Sequence, residues 1–299
     1  MSGPRGAALS DDLEFDDSGL DQWTDEDRFE VGRDQLADYA AATNDPIPAH
    51  RAGDVAPPVF AIVPVFESLL MPAVDVLPVE LIPRVVHGEQ DFHFHRPIRP
   101  GDKLVSRGKM IGYEGLENGT RAAIKLECRT EDGELVNEQF VTTFVRGFNA
   151  GKSVGVLSPD HKFDATLRAQ EPIAIVVQHI DDDQTFRYSP ASGDPMPIHL
   201  DEEVAKDAGL PGIIAHGLCT MAFTSWAVLT ELADSDVSRL KRFAVRFSKM
   251  VIPGDDLETR IWKKGSADGI TTYAFETTRV GSDSEKAITD GLAEIREGD

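Results

Sequence analysis

The chain has 299 residues, 41% of them hydrophobic, and a formal net charge of −22. That length suits one large domain or two of ordinary size, and the apolar share is enough for a real core. The charge opposes nucleic acid and anionic membrane as partners, but leaves room for a small anionic ligand at a local basic patch.

Residues 1–28 carry nine acidic residues and two arginines with few large apolar side chains, so a solvated, flexible tail is expected there. The stretch lacks the basic start and apolar core of a signal peptide. VGRDQLADYAAAT (31–43) has the spacing of an amphipathic helix and leads into the loop NDPIPAH. The apolar segment PPVFAIVPVFESLL (57–70) follows, and no apolar run approaches the roughly 20 residues of a membrane span. In DFHFHRPI, His93 and His95 share one face of a strand, but no third ligand is placed beside them and the strand-surface reading is preferred to a metal. RAAIKLECRTEDGELVNEQFVTTFV (121–145) alternates as two strands around the turn EDGE. A Gly-, Ser- and Pro-rich join lies at 148–165.

The order then recurs. DDDQTFRYSPAS is a less clear helix, and YSPASGDPMPIH (188–199) matches YAAATNDPIPAH (39–50) at six of twelve positions. IIAHGLCTMAFTSWAVLTEL (213–232) is long and apolar enough for a fully buried helix. FSKMVIPGDDL (247–257) answers FHRPIRPGDKL (94–104). TYAFETTRVGSDSEKAITDGLAEI (272–295) repeats the strand–turn–strand layout, with SDSE as its turn. The chain is therefore two copies of one unit, 29–147 and 166–299, each a helix followed by an antiparallel sheet in an α+β arrangement.

Pro195 and Pro197 rule out a helix interior and make the Asp194–His199 loop stiff. Such a loop can present a carboxylate and an imidazole for acid–base chemistry, or simply cap a turn. Cys128 and Cys219 have no metal-type spacing and suit a reducing, cytoplasmic setting better than a disulfide. No Gly-rich phosphate loop is present, and no cofactor or metal is expected.

SGDPMPIH, IIAHGLCTMAF and VRFSKMVIPGDDL together resemble the MaoC-like dehydratase family, the R-specific enoyl-CoA hydratases or hydratase 2. The likeness covers about residues 29–297 and implies the double hot dog fold, each sheet wrapped round a long helix. It implies reversible hydration of trans-2-enoyl thioesters to (R)-3-hydroxyacyl thioesters, carried on coenzyme A or acyl carrier protein. Asp194 and His199 then position and activate water, and the Gly217 amide stabilises the thioester oxygen. Gly193 and His216 lie by the substrate, and Arg246 and Lys249, with Lys263 and Lys264, are cations available to coenzyme A phosphates. The family's Gly-Asp-x-Asn-Pro-x-His loop is kept except at the Asn, which is Met196. In that family the Asn supports the loop by hydrogen bonds.

Copy one keeps Asp45 and His50 but has Ala61-Ile62-Val63-Pro64 where copy two has Ala215-His216-Gly217-Leu218. The resemblance places the working site in the C-terminal copy and an acyl-chain cavity in the other, with Asp45 and His50 a relic of the loop; a second site there is the alternative. A homodimer is expected. A thioesterase of the same fold and a non-catalytic acyl-binding subunit are the competing functional readings.

Overall fold

The computed structural model describes residues 13–281 and 285–298, so residues 1–12 of the expected tail, most of the SDSE turn and Asp299 lie outside the described residues. Its helices are α1 (Arg33–Ala42), α2 (Pro48–Arg51), α3 (Phe66–Val76), α4 (Gln184–Ser192), α5 (Glu202–Asp207) and α6 (Gly217–Leu232). The N-terminal strands are β1 (Asp27–Glu30), β2 (Val85–Phe94), β3 (Lys103–Leu116), β4 (Gly119–Thr130), β5 (Leu135–Arg146) and β6 (Ser153–Gly155). The C-terminal strands are β7 (Ala174–His179), β8 (Leu240–Phe247), β9 (Asp256–Ala267), β10 (Ile270–Arg279) and β11 (Lys286–Arg296).

All eleven strands form one antiparallel sheet in the order β1-β3-β4-β5-β2-β8-β11-β10-β9-β7, with β6 added on β3. The order reads the same from either end once equivalent strands are matched. Its centre is the β2–β8 pairing, where Phe92 faces Phe243. The two copies read from the repeat are thus joined edge to edge, each closing the other's open strand. This is the double hot dog architecture.

In the second copy the central helix is regular. α6 buries Met221, Phe223, Val228 and Leu229 among others and packs on β7, β8, β9 and β11. Each such side chain contributes roughly 1.5–3 kcal/mol when taken fully from water. In the first copy the corresponding segment is broken. Pro58–Val65 is a 3-10 helix with Pro64 inside it, and α3 follows with Pro72 inside. Pro64 has no N–H to give the Ala61 carbonyl three residues back. The Gln139 side chain donates to that carbonyl instead, at 2.7 Å.

Two expectations are corrected here. The helical run Pro58–Val76 has 19 residues and a mean hydropathy of 1.8, so by length and composition it could cross a membrane. The apolar pattern continues past Leu70 through Val76. Just over half of its most apolar window is buried inside the protein. The acidic segment is also not loose from residue 13 onward. Phe15 is 5% exposed and packs on the rings of Tyr113 and Phe148. Trp23 lies under Arg107 and Lys109, and Asp17 bonds Lys152 and Tyr113. The acidic residues of this segment find basic partners on the sheet and the join, which composition alone does not reveal. The join is docked as well. His161 within it is buried and donates through Nδ1 to the Asp290 carbonyl at 2.6 Å.

Candidate active site

The site is assembled from α4, the loop after it and the start of α6. α4 ends at Gly193, whose φ of +76° is a left-handed conformation that glycine adopts without strain. Gly193 is therefore needed for the turn. Ser189 donates its hydroxyl to the Asp194 carbonyl at 2.7 Å, and the Met196 N–H donates to Asp194 Oδ1 at 3.1 Å. The loop is thus held by Ser189 and its own backbone, while the Met196 side chain stands 51% exposed.

Pro197–His199 forms one 3-10 turn that carries His199 inward to a buried position. His199 Nδ1 lies 2.8 Å from the Ile214 carbonyl. A carbonyl only accepts, so Nδ1 holds the proton and Nε2 keeps a free lone pair. Burial lowers the His199 pKa, with the Ile214 carbonyl and Asp194 opposing. A ring nitrogen of His199, one of His216 and an Asp194 carboxylate oxygen all lie within 4.8 Å of one another. No direct bond links the Asp194 carboxylate to His199 among the described residues, so both are free to hold a molecule between them.

His216 precedes α6 and is 1% exposed. Its ring stacks on His199 with centroids 3.8 Å apart and planes at 30°. Its Nε2 donates to the Asp194 carbonyl at 3.3 Å. Burial first, then His199, pushes its pKa down to about 3. The His216 side chain, expected beside the substrate, is turned inward onto the Asp194–His199 loop. Asp194, His199 and His216 are the right residue types for a metal. The His216 Nε2–H is committed to the Asp194 carbonyl, so that nitrogen offers no lone pair to an ion.

Gly217 opens the 16-residue α6 and is exposed. Its N–H is among the first-turn donors with no partner inside the helix, at the positive end of the helix dipole. A Cβ on Gly217 would meet the Phe247 ring at 3.2 Å, so the glycine also keeps this edge of the site open.

The expected phosphate cations do not gather here together. Phe247 faces Gly217, and its strand neighbour Arg246 points to the opposite face, in a cleft with Glu89, Arg121 and His161. Lys249 is exposed on the loop after β8. Val251 of the same loop accepts the Ala215 N–H at 2.8 Å, which leaves Lys249 near the start of α6. Lys263 and Lys264 are exposed on β9. His93 lies by Asp91 and His95 by Glu138, each with its own carboxylate.

The equivalent pair in copy one is closed. His50 Nδ1 sits 2.7 Å from Asp45 Oδ2, with the side chains 0% and 1% exposed. No space for water separates the two groups, and Val63 with Pro64 occupies the place of the α6 start. Reading the sequence missed the contact between copies that supports the working loop. Tyr188 of α4 packs on His216 with ring centroids 5.0 Å apart, and its hydroxyl meets that of Tyr39. The repeat itself carried the signal, since both tyrosines occupy the same place in it.

A double hot dog with one open and one closed Asp–His loop defines the class as the MaoC-type thioester fold. The MaoC like domain matches residues 162–285, and the FAS1-like dehydratase domain region matches residues 20–139. The chain is 32% identical over 214 residues to a probable enoyl-CoA hydratase 2 of Dictyostelium discoideum, covering 71% of this chain and 70% of that protein. It is 33% identical over 195 residues to the peroxisomal multifunctional enzyme type 2 of Drosophila melanogaster, covering 64% of this chain but only 32% of that protein. The crystal structure of a MaoC-like dehydratase from Phytophthora capsici superposes with a TM-score of 0.83 at 23% identity, over 95% of this chain and 99% of that one, which shows the shared fold. The chain belongs to the MaoC-like dehydratase, or enoyl-CoA hydratase 2, family.

Proposed function

We propose that the protein is a hydro-lyase that reversibly hydrates trans-2-enoyl thioesters to (R)-3-hydroxyacyl thioesters at its C-terminal site. The observation that carries this is the His199 tautomer. Nδ1 is committed to the Ile214 carbonyl, so the Nε2 lone pair is available as a base at neutral pH beside the Asp194 carboxyl.

Hydration needs a base for water, a proton for C2 and relief of charge on the thioester oxygen. His199 Nε2 takes a proton as the water oxygen attacks C3. Asp194, which must enter this step as the neutral acid, holds the same water, delivers its proton to C2 and regains one from His199 when the site resets. The Gly217 N–H at the head of α6 donates to the thioester oxygen as it becomes enolate-like. Dehydration runs the same steps backward.

Coenzyme A or acyl carrier protein carries the acyl group, with Lys249 the expected phosphate-side cation that remains near the site. A homodimer in the cytoplasm completes the reading; two buried free cysteines support a reducing setting. The test is absorbance in the enoyl-thioester band with crotonyl-CoA and a longer enoyl-CoA, alongside a free-thiol assay. Absorbance lost without thiol release is the expected result. Thiol release would make the protein a thioesterase, and no change with either substrate would leave it a binding subunit.

A further inference from the structure

His216 touches three parts of the site without facing solvent. Its ring lies on His199, its Nε2 holds the Asp194 main chain, and its own peptide leads directly into Gly217. Its remaining ring nitrogen, Nδ1, is buried with no partner among the described residues. A buried acceptor without a partner is unfavourable, so this imidazole is held at a penalty that a phenyl ring would not incur. The sealed Nδ1 also rules out His216 as the group that binds water.

Resting on the hydratase reading above, we propose that His216 is a positioning residue for the hydration step. Its stack on His199 and its hydrogen bond to Asp194 hold the base and the carboxyl at the spacing one water bridges. A His199 ring nitrogen and an Asp194 carboxylate oxygen no more than 4.8 Å apart leave a point within about 2.8 Å of both, which is a hydrogen-bond length for water. Sliding either ring or the loop would lose that point.

The stack also keeps His199 dry and next to a neutral neighbour. The titratable groups facing the pair are Asp194 from the same loop and Tyr188 from α4, with Tyr39 of α1 and Cys219 of α6 near Tyr188. Removing the His216 ring hydrates His199, and its proton affinity then rises toward the ordinary histidine value of about 6.5.

Two variants separate the two contacts. H216F keeps a ring on His199 and drops the bond to Asp194; H216N drops the stack and keeps a donor. In both, kcat with crotonyl-CoA is expected to fall about 10- to 100-fold, with KM changed less. In H216N the acid limb of the kcat/KM profile moves to higher pH; in H216F it stays. A histidine NMR titration of the whole protein, assigned with H199Q, reads the same shift without needing turnover. If the native protein turns over no enoyl thioester, the hydratase reading fails and the titration alone decides on His216. An unchanged kcat in both variants overturns the proposal. So does a His199 titration in H216N that matches the native protein. If H216N does not fold, H216F decides: a lowered kcat with an unmoved acid limb supports the proposal, and native kcat overturns it.

Discussion

Tyr39 and Tyr188 occupy equivalent places in the two copies and meet hydroxyl to hydroxyl at 3.2 Å, both fully buried between α1 and α4. One of them donates to the other, so the pair is satisfied only as a pair. Y188F should therefore destabilise the protein by about 1–3 kcal/mol, because it leaves the Tyr39 hydroxyl buried without its partner. Y39F should cost a similar amount. The double variant should cost less than the two single costs added, since no orphan hydroxyl remains. Urea unfolding of the three variants measures this; strict additivity would contradict the pairing.

Gln139 supplies the hydrogen bond that Pro64 cannot. Replacing it with Leu leaves the Ala61 carbonyl buried and unpaired, with an expected loss of about 1–3 kcal/mol. P64A should not restore Q139L fully, because the segment would still need to recoil from 3-10 to α-helix. Thermal unfolding with both variants checks this, and an unaltered midpoint for Q139L would show the side-chain bond to be idle.

Histidines that desolvation keeps neutral set an acid limit on stability. Burial pushes His87 down to about 4, against the Glu89 backbone and Gln90 side chain. The unfolded chain takes up a proton on this residue from about pH 6.5 downward, and the folded protein does not until about 4, so stability is lost as pH falls through that window. His161 acts in the opposite sense, because Glu89 and the Asp290 carbonyl raise it despite its burial. The comparison is therefore between native protein and H87F. Unfolding free energies at pH 7.5 and 5.5 should differ less in H87F than in the native protein. An equal difference would remove His87 from the account.

The repeat made much of this legible. Two Asp–Pro–x–Pro–x–His loops, two strand pairs and one clearly apolar helix specify two units, and the pairing of those units follows from their open edges. The loop was legible as a stiff turn holding Asp194 and His199, and the structure brings these two together with His216 just before the start of α6. Facing and docking were not. Strand alternation separates Arg246 from Phe247 by one residue, and irregular register along β2 and β11 hides which of them points inward. His216 sits beside the exposed Gly217 in sequence but is itself buried at the helix start. The acidic segment read as loose because its partners, Lys109, Lys152 and the ring of Tyr113, lie roughly 90 to 135 residues away. In sequence Pro64 is only one of three residues, with Ile62 and Val63, that differ there from the second copy, whereas in the structure it lies inside the 3-10 helix that interrupts the first central helix.

The central claim is that only the open Asp–His loop performs chemistry. Its most direct test compares D194N and D45A with native protein on one enoyl-CoA, at matched folded concentration. D194N should lose at least about 10²-fold in rate, the usual scale for a lost general acid or base. D45A should stay within about threefold of native in rate, while costing about 1–3 kcal/mol in stability through the orphaned His50. A folded D194N with native rate, or a folded D45A with its rate abolished, would contradict the account.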